Sequence, residues 1–134
     1  MGSFSFPKSE RLYKKKAIQE LFDKGSSFYL YPFKVFFLPN RDRQYPYHQI
    51  LISVSKKNFK KAVDRNRIKR LTREAWRLQK NELSEKIKIT QKRLNVFFIY
   101  TGKELPDFAT VKGKVAVALK KLADKIDENI PANS

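Results

Sequence analysis

The spacing of apolar residues switches from a two-residue to a helical period in the middle of the chain, and that change limits the folds open to it. Over His48–Ser55, Ile50, Ile52 and Val54 alternate with Gln49, Leu51 and Ser53, the two-residue period of a strand. From Ala62 to Lys80 the spacing becomes three and four, with Ile68, Leu71, Ala75 and Leu78 recurring, as in a helix that buries one face. A strand that leads into an amphipathic helix, with further strand candidates on both sides, predicts helices laid on a sheet. Phe33–Leu38 reads as a strand closed by a turn at Pro39-Asn40-Arg41-Asp42, Tyr29–Tyr31 as a short strand before Pro32, and Leu94–Tyr100 as the last strand. Lys14–Lys24 reads as a helix with Ala17, Ile18, Leu21 and Phe22 on one face and Gly25 placed to end it. After a loop at Gly102 and Pro106, a final helix carries Val111, Val115, Ala118, Leu119, Leu122 and Ile126 along one stripe. The expected fold is an α/β (α+β) sandwich in the order α-β-β-β-α-β-α, its helices packed on one mostly antiparallel four-stranded sheet. Residues 1–12 are expected to be a flexible segment, 13–128 a single domain, and 129–134 a loose tail.

Charge narrows the function. Thirty Lys and Arg stand against thirteen Asp and Glu, a net +17 on 134 residues. Such self-repulsion calls for a partner that neutralises it, most often a polyphosphate. The absence of cysteine removes thiolate catalysis and zinc knuckles. No apolar run approaches the ~20 residues of a membrane span, and residues 1–16 have no secretory apolar stretch, so no membrane partner and a cytoplasmic location are expected. His48 is the single histidine, which excludes a two-histidine nuclease. Asp124, Asp127 and Glu128 are interleaved with Lys120, Lys121 and Lys125 and read as a solvated helix face rather than a metal cage. No Gly-rich phosphate loop is present. Catalysis by the protein itself, and a metal intrinsic to it, are therefore not expected.

The helix from Ala62 holds the densest charge. With ~100° per residue and Arg65 at zero, Ile68, Leu71, Ala75 and Leu78 fall at about 220–300°, while Lys69, Arg70, Arg73 and Arg77 fall at about 40–140°. Arg65 and Arg67 lie near its start, and Lys56, Lys57, Lys60 and Lys61 just before it. A solvated helix face normally carries acidic partners at i+4, yet only Asp64 and Glu74 are available here. Arginine also gives forked contacts suited to phosphates and base edges, and Asn66 can donate or accept. Composition alone leaves open a ribosomal-type RNA-binding protein, an RNA-processing subunit, or a DNA regulator reading the major groove. A DNA regulator would place this helix in a helix-turn-helix, whereas here it follows a strand.

The run Ile52-Ser53-Val54-Ser55-Lys56-Lys57, followed by Ala62-Val63-Asp64-Arg65-Asn66-Arg67-Ile68-Lys69-Arg70-Leu71-Thr72-Arg73-Glu74-Ala75-Trp76-Arg77, resembles the signature of the protein subunit of bacterial ribonuclease P. Arg11-Leu12 and Leu21-Phe22-Asp23-Lys24-Gly25 resemble that family's first helix, and the order of elements matches over nearly the whole chain. The resemblance implies a sandwich with a left-handed β-α-β crossover, against the usual right-handed rule. It implies a protein that assists a catalytic RNA in removing the 5′ leader of precursor transfer RNA. Magnesium would sit at the RNA active site, with no cofactor on the protein. Expected partners are ribonuclease P RNA and precursor tRNA, one protein per RNA, and not DNA. By the same resemblance Arg65, Asn66, Arg67, Lys69, Arg70, Arg73 and Arg77 would meet the catalytic RNA. A leader-binding cleft would hold Ile18, Phe22, Lys56, Lys57 and, by ungapped count from Gly25, Phe36. Ile18 stands where the family usually has Phe, so its stacking surface is lost.

Overall fold

The computed structural model describes residues 15–40, 49–90 and 93–127. Among them the elements run α1 (Lys15–Lys24), β1 (Ser26–Leu30), β2 (Phe33–Asn40), β3 (Gln49–Val54), α2 (Ala62–Gln79), α3 (Asn81–Thr90), β4 (Arg93–Tyr100) and α4 (Phe108–Asp127). The four strands form one sheet in the order β1-β2-β4-β3. β1 and β2, and β2 and β4, pair antiparallel; β3 and β4 pair parallel. The parallel pair is what α2 and α3 connect, since adjacent parallel strands need a crossover. Residues 1–12, 129–134, Arg41-Asp42 and His48 lie outside the described residues.

Alternation along the strands gives the sheet two different faces. The inner face carries Phe33, Val35 and Phe37 of β2, Ile50, Ile52 and Val54 of β3, and Leu94, Val96, Phe98 and Tyr100 of β4. These pack with Ile68, Ala75 and Trp76 of α2, Leu83 of α3, and Val111, Val115, Ala118, Leu119 and Leu122 of α4. The outer face has a smaller cluster of Leu21, Leu38 and Phe97, flanked by Ile18, Phe36, Leu51 and Ile99. Only α1 is laid on that side among the described elements, against β2 and β4.

Three local expectations need correction. β2 continues through Pro39 and Asn40, which pair with Leu94 and Arg93 of β4, where a turn was expected. Pro39 lies past Phe37, the last β2 residue that β1 reaches, so the strand has become an edge there and tolerates a residue with no N–H. The short strand before Pro32 starts earlier than expected, at Ser26, and Tyr31 falls in the turn. α3 has no counterpart in the expected order. It follows α2 after Lys80 alone, and its fully buried Leu83 joins the main core.

Gly25 is needed where it stands. Its N–H donates to the Leu21 carbonyl at 2.9 Å and closes α1. A Cβ there would collide with that same oxygen and lie 3.1 Å from the Phe37 carbonyl oxygen. At the other end of the fold Asp107 caps α4, its Oδ1 accepting from the Thr110 N–H at 2.8 Å. Thr110, through its hydroxyl first and its N–H second, holds the Asp107 carboxyl below its ordinary pKa.

Candidate nucleic-acid interface

α2 is set against α4 and β3 by a face turned some way from the expected one. Its buried residues are Ile68, Thr72, Ala75 and Trp76, whereas Leu71 is only half-buried. The expected face relied on Leu71 and Leu78 and left Thr72 and Trp76 outside it. Thr72 enters the interior because its hydroxyl donates to the Ile68 carbonyl at 2.8 Å and so carries its own partner. Trp76 packs edge-on against Phe98, ring centroids 5.6 Å apart. The rotation leaves the outward arc to Val63, Asn66, Arg67, Arg70 and Arg73, all exposed, with Lys69 half-buried at its margin.

Arg65 and Arg77 have work within the fold. Arg65 donates through Nη1 to the carbonyls of Phe59 and Lys60, at 2.7 and 3.0 Å. It thereby ties the loop after β3 to the first turn of α2. Arg77 donates through Nε to Glu74 Oε1 at 2.9 Å. That pairing holds the Glu74 carboxyl below its usual range and raises the Arg77 guanidinium. Arg67 and Arg70, by contrast, make no side-chain hydrogen bond or ion pair among the described residues.

The loop before α2 is a rigid mount for lysines. Phe59 is buried against Tyr100, centroids 6.0 Å apart, and its N–H donates to the Ser55 carbonyl at 3.1 Å. The Lys57 N–H donates to Ser55 Oγ at 3.1 Å. With its backbone fixed at both ends, the loop exposes Lys56, Lys57, Lys60 and Lys61 beside the outward arc of α2.

A second set of predicted residues meets on the outer sheet face. Phe22 of α1 is 47% exposed although apolar. Its ring lies 5.1 Å from Phe36 and 5.3 Å from Phe97, both edge-on. Phe36 and Ile18 are half-buried beneath it. The structure brings Ile18, Phe22 and Phe36 together as expected, and adds two residues that sequence reading missed. Phe97 forms the floor of the cluster, and Lys34 holds its Nζ 5.2 Å from the Phe36 ring centroid. Strand alternation was the available signal for both: Phe97 alternates out of step with Val96 and Phe98, and Lys34 shares a face with Phe36. Lys56 and Lys57 belong to the loop at the far end of β3 rather than to this aromatic cluster.

A cationic helix face, a lysine-bearing loop and an aromatic cleft on one α+β scaffold define a domain suited to a polyanion that carries bases. Among the described residues no group of three His, Cys, Asp or Glu could hold a metal, and no helix is long and apolar enough to cross a membrane. Comparison with known proteins gives the particular case. The ribonuclease P family profile matches residues 6–123. A ribonuclease P protein component from Porphyromonas gingivalis is 38% identical over 133 residues, spanning 99% of this chain and 94% of its own. One from Chlorobium phaeobacteroides is 33% identical over 122 residues, 84% of each. The solved RNase P protein of Thermotoga maritima aligns over 84% of this chain and 96% of its own, at 30% identity and a TM-score of 0.64. The chain belongs to the ribonuclease P protein family. It is thus a protein subunit of the bacterial endoribonuclease that matures the 5′ end of transfer RNA, the RNA subunit being the catalyst and this protein's partner.

Proposed function

We propose that the two surfaces divide the RNA between them. The outward arc of α2, with Asn66, Arg67, Lys69, Arg70 and Arg73, docks on ribonuclease P RNA, and the cleft of Ile18, Phe22 and Phe36 receives the single-stranded leader of precursor tRNA. Arg65 and Arg77 serve the same docking face from its two ends, Arg65 by fixing the loop and Arg77 while shared with Glu74. Lys56 and Lys57 neutralise phosphates between the surfaces. Magnesium for the cleavage step is held by the RNA, and the protein carries no cofactor of its own. It acts in the cytoplasm as one protein per RNA, with neither membrane nor DNA as a partner.

The observation that carries the leader reading is the exposure of Phe22. An aromatic ring left 47% open over two further rings gains more from hydrophobic burial if a flat, apolar surface covers it. A nucleobase is such a surface, and base stacking on an aromatic side chain is worth ~1–3 kcal/mol. The reading is tested with Phe22→Leu in the reconstituted holoenzyme. Affinity for precursor tRNA should fall about fivefold or more, while affinity of the protein for ribonuclease P RNA stays within about twofold. Equal losses in both would place Phe22 in the fold or the docking face instead.

A further inference from the structure

We infer that Tyr29 and Tyr31 form a second stacking platform for the leader, one row beyond the Phe22 cleft on the same sheet face. The inference rests on the reading of that face as the path of the leader and extends it. Strand register supplies the continuity. Ser27, Phe36, Phe97 and Leu51 are aligned across β1, β2, β4 and β3, and two residues along each strand Tyr29, Lys34, Ile99 and Ser53 form the next row. Residues two apart share a face and lie ~7 Å apart, so the second row continues the surface of the first.

Tyr29 and Tyr31 are 58% and 61% exposed, with ring centroids 6.3 Å apart. Single exposed aromatics are ordinary on a protein surface, but this pair has a fixed member. The Tyr29 hydroxyl lies 3.1 Å from Thr101 Oγ1, and Thr101 Oγ1 donates its one proton to the Pro32 carbonyl at 3.0 Å. Tyr29 is therefore the donor, and its ring is pinned to the residue after β4 while more than half of it stays open. A ring ordered in advance loses little freedom when a base covers it.

The charge around the pair fits a phosphate chain. Lys34, the register partner of Tyr29, is exposed and reaches over Phe36, which places one cation between the two aromatic groups. None of the four strands contains an Asp or Glu. Stacking on tyrosine tolerates any base, so the contribution depends on how far the leader extends more than on its sequence.

The test uses holoenzyme reconstituted from this protein and ribonuclease P RNA. Equilibrium affinity is measured for precursor tRNAs whose leaders are shortened one nucleotide at a time, with wild type, Phe22→Leu, and the double variant Tyr29→Leu/Tyr31→Leu. Wild-type affinity should rise in two steps as the leader lengthens. The double variant should keep the first step and lose the second, about fivefold or more. Tyr31→Ala, at the more exposed position, should lose part of the same step and serves if the double variant has a lowered urea midpoint. No loss at any leader length overturns the platform, as does an equal loss at every length, including no leader. If Phe22→Leu is silent while the tyrosine variants lose the long-leader step, the cleft reading fails and the platform stands. If Phe22→Leu loses the first step and the tyrosine variants lose nothing, the reverse holds.

Discussion

Replacing Arg67 and Arg70 together with Ala should change how binding to ribonuclease P RNA depends on salt. Both side chains are exposed on the outward arc of α2 and make no hydrogen bond or ion pair among the described residues. Neither is needed to hold the fold, and both are available for phosphates. Each phosphate contact releases counterions and contributes about 0.7–0.9 to the slope of log affinity against log salt. Loss of two contacts should flatten the slope by about 1.4–1.8. Between ~50 and ~200 mM salt the wild type should then lose about 7–12-fold more affinity than the variant. The variant binds more weakly throughout, and the gap is widest at low salt. Lowering salt still raises the variant's own affinity. Titration of labelled ribonuclease P RNA by fluorescence anisotropy, at fixed magnesium, reads both slopes. A variant with an unchanged urea midpoint and a wild-type slope would show that this arc does not meet the RNA backbone.

Trp76→Ala removes a fully buried ring from between α2 and Phe98, and should cost ~3–5 kcal/mol in urea unfolding; a loss below ~1 kcal/mol would contradict the packing described. Arg65→Ala should act mainly on stability, by roughly 1.5 kcal/mol for its bonds to the Phe59 and Lys60 carbonyls. It should also flatten the salt slope less than the Arg67/Arg70 pair does, and the opposite ranking would make Arg65 chiefly an RNA contact. Asp107 has its pKa lowered from 3.8 by Thr110, so the stability it adds is present above the unfolded carboxylate's pKa and lost as pH falls through the lowered value. The stability gap between wild type and Asp107→Ala should therefore be full at neutral pH and close under acid conditions. A gap that persists unchanged in urea melts well below pH 3.8 would count against the cap.

The sheet and the last helix were legible because their burial follows a simple period. Ile50, Ile52 and Val54 alternate inward as the residues suggest, and Val111, Val115, Ala118, Leu119 and Leu122 line the buried side of α4. α3 was missed because only Leu83, Ile87 and Ile89 are apolar in Asn81–Thr90, too few for a strong helical stripe. Leu83 and Ile87, four apart, were the only signal. The buried face of α2 was displaced because hydropathy counts threonine as polar, whereas Thr72 satisfies its hydroxyl within its own helix. For the interface, spacing alone gave Arg70 and Arg73 of the cationic arc, whereas the rotation of α2 brought Arg67 into it and left Lys69 and Arg77 half-buried. What the sequence could not reveal was which cations the fold itself engages. Arg65 meets carbonyls five and six residues back, and Arg77 takes Glu74. Cleft membership came from the family resemblance, and Phe97 and Lys34 join it only through strand pairing, which a single sequence does not specify.

This chain is the protein partner of a catalytic RNA, and the chemistry of leader removal belongs to that RNA. Cleavage of a 5′-extended precursor tRNA by ribonuclease P RNA at low magnesium, with the protein present, absent, and alone, tests that division of labour. Cleavage at the mature 5′ end is expected when both subunits are present, little with the RNA by itself, and none with the protein by itself. Cleavage by the protein alone, or binding to the matched RNA that never supports leader removal, would contradict it.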